Sequence, residues 1–412
     1  MNIAQAPLDR LLCRLLFDPQ HAGELTQTLS AEQWQHCLER AVNHKILPHV
    51  AMLYQQYQAL PLPENYQTIL HTHTLERSSW LAALRLAAPF SQSANAMLMK
   101  GFGHELLYPE KIDRFAKDMD VVVADFTVFC DIANQLLNNG FHLPFMTQFI
   151  WRKELKSWQG LARFIHREGN EDGGVELHIG QFAVDEAHKL SWPTLHAQAT
   201  VQRFGELPLC MPDTTMMLTV FFMELATRPE CMLRDLYDGY CLCMTLTDQD
   251  KFDMLVTALN KAQLGEQVIK LIAAFNRFNH PTPQKLLQLE KKVRTRGPSG
   301  KCNWRNRIRK RLDSACQNAD VLLRLYSIFD RPWAIRLAMH FAIPIYGIPM
   351  SSHPQPLRLI KRGRYRLLTT QAGTFLLGGV GIFSDEEIEY LQSVIASSPL
   401  PLTPEPEPEP EP

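Results

Sequence analysis

Asp118 and Asp120 stand one residue apart at the head of the apolar run Val121-Val122-Val123. Side chains of a strand alternate between its two faces, so both carboxylates point one way while Met119 and Val121 point the other. Two carboxylates on a buried face lose hydration and repel each other, which is unfavourable unless a cation answers them. A second alternating stretch, Val175-Glu176-Leu177-His178-Ile179, puts Glu176 and His178 on one face of its own strand. If these strands are neighbours, Asp118, Asp120 and Glu176 converge as oxygen ligands. Such a set suits Mg2+ or Mn2+ rather than Zn2+. Two such ions clamp the attacking and leaving oxygens of a phosphoryl displacement.

Upstream, Lys100-Gly101 follows the apolar run Ala96–Met99, and Gly103 comes two residues later. A glycine at such a turn lets the backbone approach a phosphate closely, and amides at the start of a following helix favour an anion. Lys100 and Arg114 add positive charge for a triphosphate. Each of these residues also has a plainer reading. Asp118 and Asp120 as a bare pair read as surface residues at a strand mouth; Gly101, Arg114 and Glu176 turn the reading towards a metal site. Glu176 is either a metal ligand or the ion-pair partner of an arginine such as Arg163. His178 is either a neighbour of the metal ligands or a core histidine with satisfied hydrogen bonds. Arg114 serves a nucleotide or an ordinary ion pair. Arg234 and Asp238, four apart on one helix, read as a surface pair. His71 and His73 do not share a helix face, and Cys241 and Cys243 have no second cysteine pair nearby, so neither is read as a metal site.

The elements that must hold these residues follow from periodicity. Residues 1–95 form a helical region in which apolar residues recur at spacings of three and four. Ser30 followed by Gln33 predicts a capping box. Residues 96–206 change to short strand-like runs, with an amphipathic helix over TVFCDIANQLLNNGF that stops at Asn139-Gly140. The segments FIWRKELKSWQGLARFIHREG and GGVELHIGQFAV read as strands. Residues 207–288 are helical again. Residues 289–400 begin with a basic linker: ten lysines and arginines and no acid lie within 291–311. This run reads as a solvated helix face and linker, or as a nucleic-acid or phospholipid patch. Residues 401–412 form a Pro-Glu tail expected to be disordered.

Hydrophobic residues make up 46% of the 412 and charged residues 21%, which is the composition of a chain with a real core. A formal net charge of −1 excludes binding to nucleic acid or acidic membrane through bulk charge. The N-terminal segment lacks the pattern of a signal peptide. No run reaches the roughly 20 apolar residues of a membrane span. The nearest candidate, 333–350, contains Arg336, His340, Pro344 and Pro349 and reads as a buried helix and turn or an interfacial segment. Nine cysteines without framework spacing fit reduced thiols, so a cytoplasmic location is expected.

The apolar strand ending in Lys100-Gly101, the helix with Tyr108 near its end, the motif Arg114-x-x-x-Asp118-x-Asp120 and the later Glu176-Leu177-His178 together resemble the uncharacterised nucleotidyltransferase family of the DNA polymerase β superfamily. The resemblance spans roughly residues 20–285 and takes in AVNHKILPHV and Leu233-Arg234-Asp235-Leu236-Tyr237-Asp238. Better-known members of that superfamily carry Gly-Ser at the phosphate turn, where this chain has Lys100-Gly101-Phe102-Gly103. The resemblance implies an α/β (α+β) fold, a mixed-sheet nucleotidyltransferase core embedded in helical N- and C-terminal regions. It implies transfer of a nucleoside monophosphate from an NTP to an acceptor hydroxyl that the sequence does not name. Asp118, Asp120 and Glu176 would then be the metal-holding catalytic residues, with Mg2+ or Mn2+ as cofactor. Lys100, Gly101, Gly103, Arg114 and His178 would stand on the nucleotide side. Two other expectations stay open: a non-catalytic binding or scaffold protein that keeps the fold, and a member acting on nucleic acid through 291–311.

Overall fold

The computed structural model describes residues 6–18, 21–27, 29–58, 60–108, 114–116, 118–143, 147–152, 157–167, 174–184, 189–295, 332–341, 345–351, 353, 355–362, 365–370, 373–377, 387, 390–391 and 393. In chain order the first elements are helices α1 (Ala6–Phe17), α2 (Ala22–Thr26), α3 (Ala31–Asn43), α4 (Leu47–Gln58) and α5 (Glu64–Gln92), then strand β1 (Ala96–Met99), α6 (Lys100–Glu105) and β2 (Asp118–Val123). Next come α7 (Phe126–Asn138), β3 (Phe141–His142), β4 (Thr147–Arg152), β5 (Ser157–His166), β6 (Gly174–Ile179), β7 (Gln181–Ala183) and β8 (Lys189–Ser191). They are followed by α8 (Trp192–His196), β9 (Ala199–Phe204), β10 (Leu207–Pro212), α9 (Thr214–Thr227), α10 (Leu233–Thr245), α11 (Gln249–Ala262), α12 (Gly265–Arg277) and α13 (Gln284–Lys292). The last described elements are α14 (Pro332–Phe341), β11 (Ile345–Ser351), β12 (Arg358–Arg362), β13 (Tyr365–Thr370) and β14 (Gly373–Leu377). The fold is mixed α/β, as expected. Among the described residues no helix is long and apolar enough to cross a membrane.

The chain divides into two units, one of residues 1–121, 168–175 and 183–301, the other of 122–167, 176–182 and 302–412. In the first unit β1 lies beside β2, and β10 pairs with β9 in an antiparallel hairpin. Local signals end and start its helices as the sequence predicts. Ser30 Oγ accepts from Gln33 N–H at 3.2 Å while Ser30 N–H donates to Gln33 Oε1 at 2.8 Å, closing the predicted capping box. Asp213 caps α9 by accepting from Met216 N–H at 2.9 Å. Trp34, Trp80, Phe221, Phe222, Phe252 and Phe275 are among its fully buried large side chains. Gly239 of α10 fits between Leu271 and Phe221, where a Cβ would meet atoms at 2.9 and 3.1 Å. That close approach seats α10 against α9 and α12.

In the second unit the sheet order runs β6-β5-β4-β11-β14-β13-β12. Gly180, at φ +69°, donates its N–H to Val123 O at 2.8 Å and ties the ends of β6 and β2 together. Asp125 caps α7, which stops before Gly140 at φ +85°, the left-handed stop read from Asn139-Gly140. Strands of the C-terminal segment continue this sheet: β11 pairs antiparallel with β4, placing Ile345 opposite Phe149. Phe126, Phe149 and Phe375 cluster with ring centroids 4.3–5.7 Å apart and seal that join. The stretch 333–350 is thus helix α14 followed by a sheet strand. Most of the basic run, 296–311, and the tail 401–412 lie outside the described residues.

One ion pair ties the N-terminal helices together. Buried Asp9 of α1 receives Arg40 of α3 through two hydrogen bonds, 2.8 and 2.7 Å, and lies 3.1 Å from His44 Nε2. Burial alone would raise the Asp9 carboxyl, but hydrogen bonds from His44 and Arg40 outweigh it and bring it from 3.8 down to about 2. A depressed carboxylate stabilises the fold fully above its unfolded pKa and loses that contribution as pH falls through the folded value. The Asp9 contribution should therefore fade between about pH 4 and pH 2, by roughly 2 kcal/mol. Urea unfolding across that range should show a flatter acid limb for Asp9→Asn than for the wild type; parallel limbs would remove Asp9 from this role.

Candidate functional site

The site is built from the turn that leaves β1. Lys100 turns the chain into α6 at φ +26°, a positive value rare for a residue with a side chain. Its amine lies 3.1 Å from Asp120 Oδ2 and 2.8 Å from Glu224 Oε1. Asp120 has no exposure at all, whereas Asp118 at the mouth of β2 is half-buried. Burial works against charging Lys100, but Asp120 and Glu224 outweigh it and hold the ammonium. Burial, then the neighbouring charge of Asp120, pushes the Asp118 carboxyl up. Burial likewise opposes ionisation of Glu224, yet Lys100 and Arg228 bring its carboxyl below the ordinary value. Arg228 in turn reaches Glu224 at 3.2 Å and also pairs with the fully buried Asp235. Asp235 accepts from Met232 N–H at 3.0 Å at the start of α10. Charges of alternating sign therefore run Asp120, Lys100, Glu224, Arg228, Asp235.

A second set of contacts holds the segment that leads into β2. Arg114 donates from Nε and Nη2 to the two oxygens of Asp238, at 2.9 and 2.8 Å. Tyr108 Oη donates to the same carboxylate at 2.7 Å. Burial would raise the Asp238 carboxyl, but the Arg114 charge and its hydrogen bonds, with His104 Nδ1 3.6 Å away, hold it well below the usual carboxylate range. From the same helix, Arg234 donates to Phe115 O at 3.0 Å. The phenyl ring of Phe115 stacks on His73, centroids 4.6 Å apart. This corrects the surface-pair reading of Arg234 and Asp238. Both are buried, 6% and 2% exposed, and each is directed to residues 114 and 115.

Asp120, Glu176 and His178 each offer one ligand atom, and these atoms lie within 4.8 Å of one another. His178 is buried, with Nε2 3.8 Å from Glu176 Oε2 and its ring against Phe182. Two carboxylate oxygens and an imidazole nitrogen form a donor set that fits a divalent ion; the two carboxylates suit Mg2+ or Mn2+, and the imidazole departs from the oxygen-only set read from the sequence. Asp118 stands outside this group, two residues along the strand from Asp120. Arg114 is matched to Asp238. Gly103 faces Met211 and Met217, where a Cβ would meet Met211 Cε at 2.8 Å, so it lets α6 lie against β10 and α9. Gly101 lies in the first turn of α6.

Sequence reasoning passed over Glu224 and Arg228, and took Asp235 only as part of the run 233–238 that carries the resemblance. One signal was present. Glu224 is the single acid in the apolar helix TTMMLTVFFMELAT, and a charge inside such a helix requires a partner.

The model of a family described as uncharacterised nucleotidyltransferases matches residues 30–279. No curated protein matches the chain. Solved structures that are similar include a candidate nucleotidyltransferase from H. pylori, at 15% identity, covering 53% of this chain and 92% of that one, with a TM-score of 0.30. JHP933 from Helicobacter pylori is 14% identical, with coverage of 60% and 98% and a TM-score of 0.30. An antigenic nucleotidyltransferase-like protein from Paracoccidioides brasiliensis is 14% identical, with coverage of 54% and 94% and a TM-score of 0.30.

The Arg114–Asp238 contact carries a direct consequence. Removing one charge of a buried pair leaves the other uncompensated, which destabilises by about 3–5 kcal/mol. Asp238→Asn should lose that much in chemical denaturation. A loss under about 1 kcal/mol, the level of an exposed pair, would show that the contact does not anchor the segment.

Proposed function

Because the chain belongs to the uncharacterised nucleotidyltransferase family, we propose that it moves a nucleoside monophosphate from an NTP to an acceptor hydroxyl with the help of Mg2+ or Mn2+. The observation that carries this reading is the meeting of Asp120, Glu176 and His178 beside Asp118. Asp120 and Glu176 would hold the ion together with His178, and Asp118, two residues along β2, would add the further carboxylate read from the sequence. A bound divalent ion supplies neutralising charge for the triphosphate and for the oxygens between which the phosphoryl group moves.

The chain's own residues supply position and proton handling. Glu176, half-buried at the site, takes the proton of the acceptor hydroxyl. The turn at Lys100-Gly101 seats the β- and γ-phosphates through the amides that open α6. Lys100, held between Asp120 and Glu224, balances Asp120 while no substrate is present. Arg114 acts through the backbone: engaged by Asp238, it sets the segment that delivers Asp118 and Asp120 to β2. Most of the rate then comes from orientation and charge placement.

One observation favours a second reading. The Lys100 ammonium already meets Asp120 at 3.1 Å, doing part of what a metal ion would do. A non-catalytic binding module built on the same fold would need nothing more.

Titration calorimetry of ATP, GTP, CTP and UTP, with and without magnesium, separates the two. Wild type should bind at least one triphosphate in a magnesium-dependent way. The Asp118→Ala, Asp120→Ala double variant should lose that binding while keeping its circular dichroism spectrum. A folded wild type that binds none of the four would favour the binding module. With an acceptor in hand, Asp120→Asn should lower transfer by at least about 100-fold, the upper range seen even for residues that only support metal ligands. Full activity in Asp120→Asn would sink the metal assignment.

A further inference from the structure

A narrow pocket in the first unit is lined by Lys45, His49, Tyr108, Arg114, Arg234 and Tyr237, among others. Its cavity volume is about 10 Å³, room for about one water-sized group, against the ~300–1,000 Å³ of sites that enclose a whole small molecule. It can take the tip of a ligand at its mouth rather than an entire ligand.

The charges around it do not match. Arg114 is answered by both oxygens of Asp238. Arg234 is not answered in that way. It is only 6% exposed; Nη1 is used on Phe115 O, and among the described residues buried Nε has no hydrogen-bond partner. The nearest acid, Asp235, is 3.7 Å from its Nη2 but is already held by Arg228. Lys45 enters from the end of α3 with φ +56°. Its side chain makes no ion pair or hydrogen bond among the described residues. Burial, then the charges of Arg234 and Arg228, bring its ammonium down from 10.5 to about 8. Burial and Arg114 lower Arg234 in the same sense. Two half-matched cations held together in low dielectric repel, and an entering anion would relieve both.

We propose that the Lys45–Arg234 pocket is an anion subsite that receives a phosphate group of a substrate. A phosphate dianion matches two cationic charges, and its oxygens suit an arginine fork beside a lysine point charge. The aromatic walls from Tyr108 and Tyr237 narrow the space around it. Asp118 is among the charges that act on Lys45, so the pocket stands within electrostatic reach of the carboxylates on β2. The phosphate belongs either to the triphosphate or to a phosphorylated acceptor. That choice rests on the transferase reading; the pocket itself does not.

The test uses the full chain, with inorganic phosphate and pyrophosphate as probes and no magnesium. Both probes should raise the melting temperature of the wild type. In Lys45→Met their affinity should fall about tenfold or more, as expected for one lost charge-assisted contact. Arg234→Lys, which keeps the charge and loses the fork, should weaken binding as well. Without phosphate, Lys45→Met should melt no lower than the wild type, because it removes a charge without a partner. No response of the wild type to either probe, equal affinities in Lys45→Met, or a phosphate-free Lys45→Met that melts lower would each overturn the subsite. Where Lys45→Met also weakens the magnesium–triphosphate complex, the phosphate comes from the NTP; where it leaves that complex unchanged, the phosphate belongs to the acceptor. The Asp118→Ala, Asp120→Ala variant should keep its response to inorganic phosphate. Failure of the transferase reading and failure of this one are therefore read on different variants.

Discussion

Arg114 and Asp238 meet through two parallel hydrogen bonds in a place where neither has solvent to fall back on. Each charge is tolerable there only because the other is present. The pair joins a short segment, 114–116, to helix α10, and Arg234 adds a second grip on the same segment through Phe115 O. The strand that begins two residues after Ala116 carries Asp118 and Asp120. The position of both carboxylates therefore depends on a helix more than a hundred residues later in the chain, and α10 can sit where it does because Gly239 leaves room for Leu271 and Phe221.

The same logic extends along the alternating charges from Asp120 to Asp235. A fully buried charge needs a partner. Lys100 meets Asp120, Glu224 keeps Lys100 charged, and Arg228 joins Glu224 to Asp235. Such a row is stable only as a whole, since removal of any member leaves its neighbours with unmatched charge. A divalent ion would take over part of the work that the Lys100 ammonium does.

Within the first unit the charge is unevenly distributed. The carboxylates of β2 offer negative charge, while the pocket of Lys45 and Arg234 offers positive charge that nothing among the described residues fully matches. Phosphoryl transfer requires both kinds of surface, one to hold cations and one to hold phosphate oxygens. The arrangement is economical in structural terms, because α10 supplies the residue that positions the carboxylates and the residue that faces the pocket.

Much of the local architecture is legible in the chain. The alternation of Asp118-Met119-Asp120 and of Glu176-Leu177-His178 marks two strands with polar atoms on one face, and the structure draws Asp120, Glu176 and His178 together. Ser30 with Gln33 and Asn139 with Gly140 mark helix ends because capping and left-handed turns are matters of a few adjacent residues. The partners of the charges are not legible in this way. Arg234 and Asp238 look like a surface pair at helical spacing, yet each is buried and directed elsewhere. Glu224 is one acid in an apolar helix, and its need for a partner is evident, but not that the partner is Lys100. Lys45 lies in the run AVNHKILPHV that carries the resemblance, but nothing near it in the chain marks its charge as unpaired. Periodicity reports which face of an element turns inward, since that depends on residues a turn or a pleat apart. Which buried charge meets which depends on distances between elements far apart in the chain, and only the packing of the whole unit decides them.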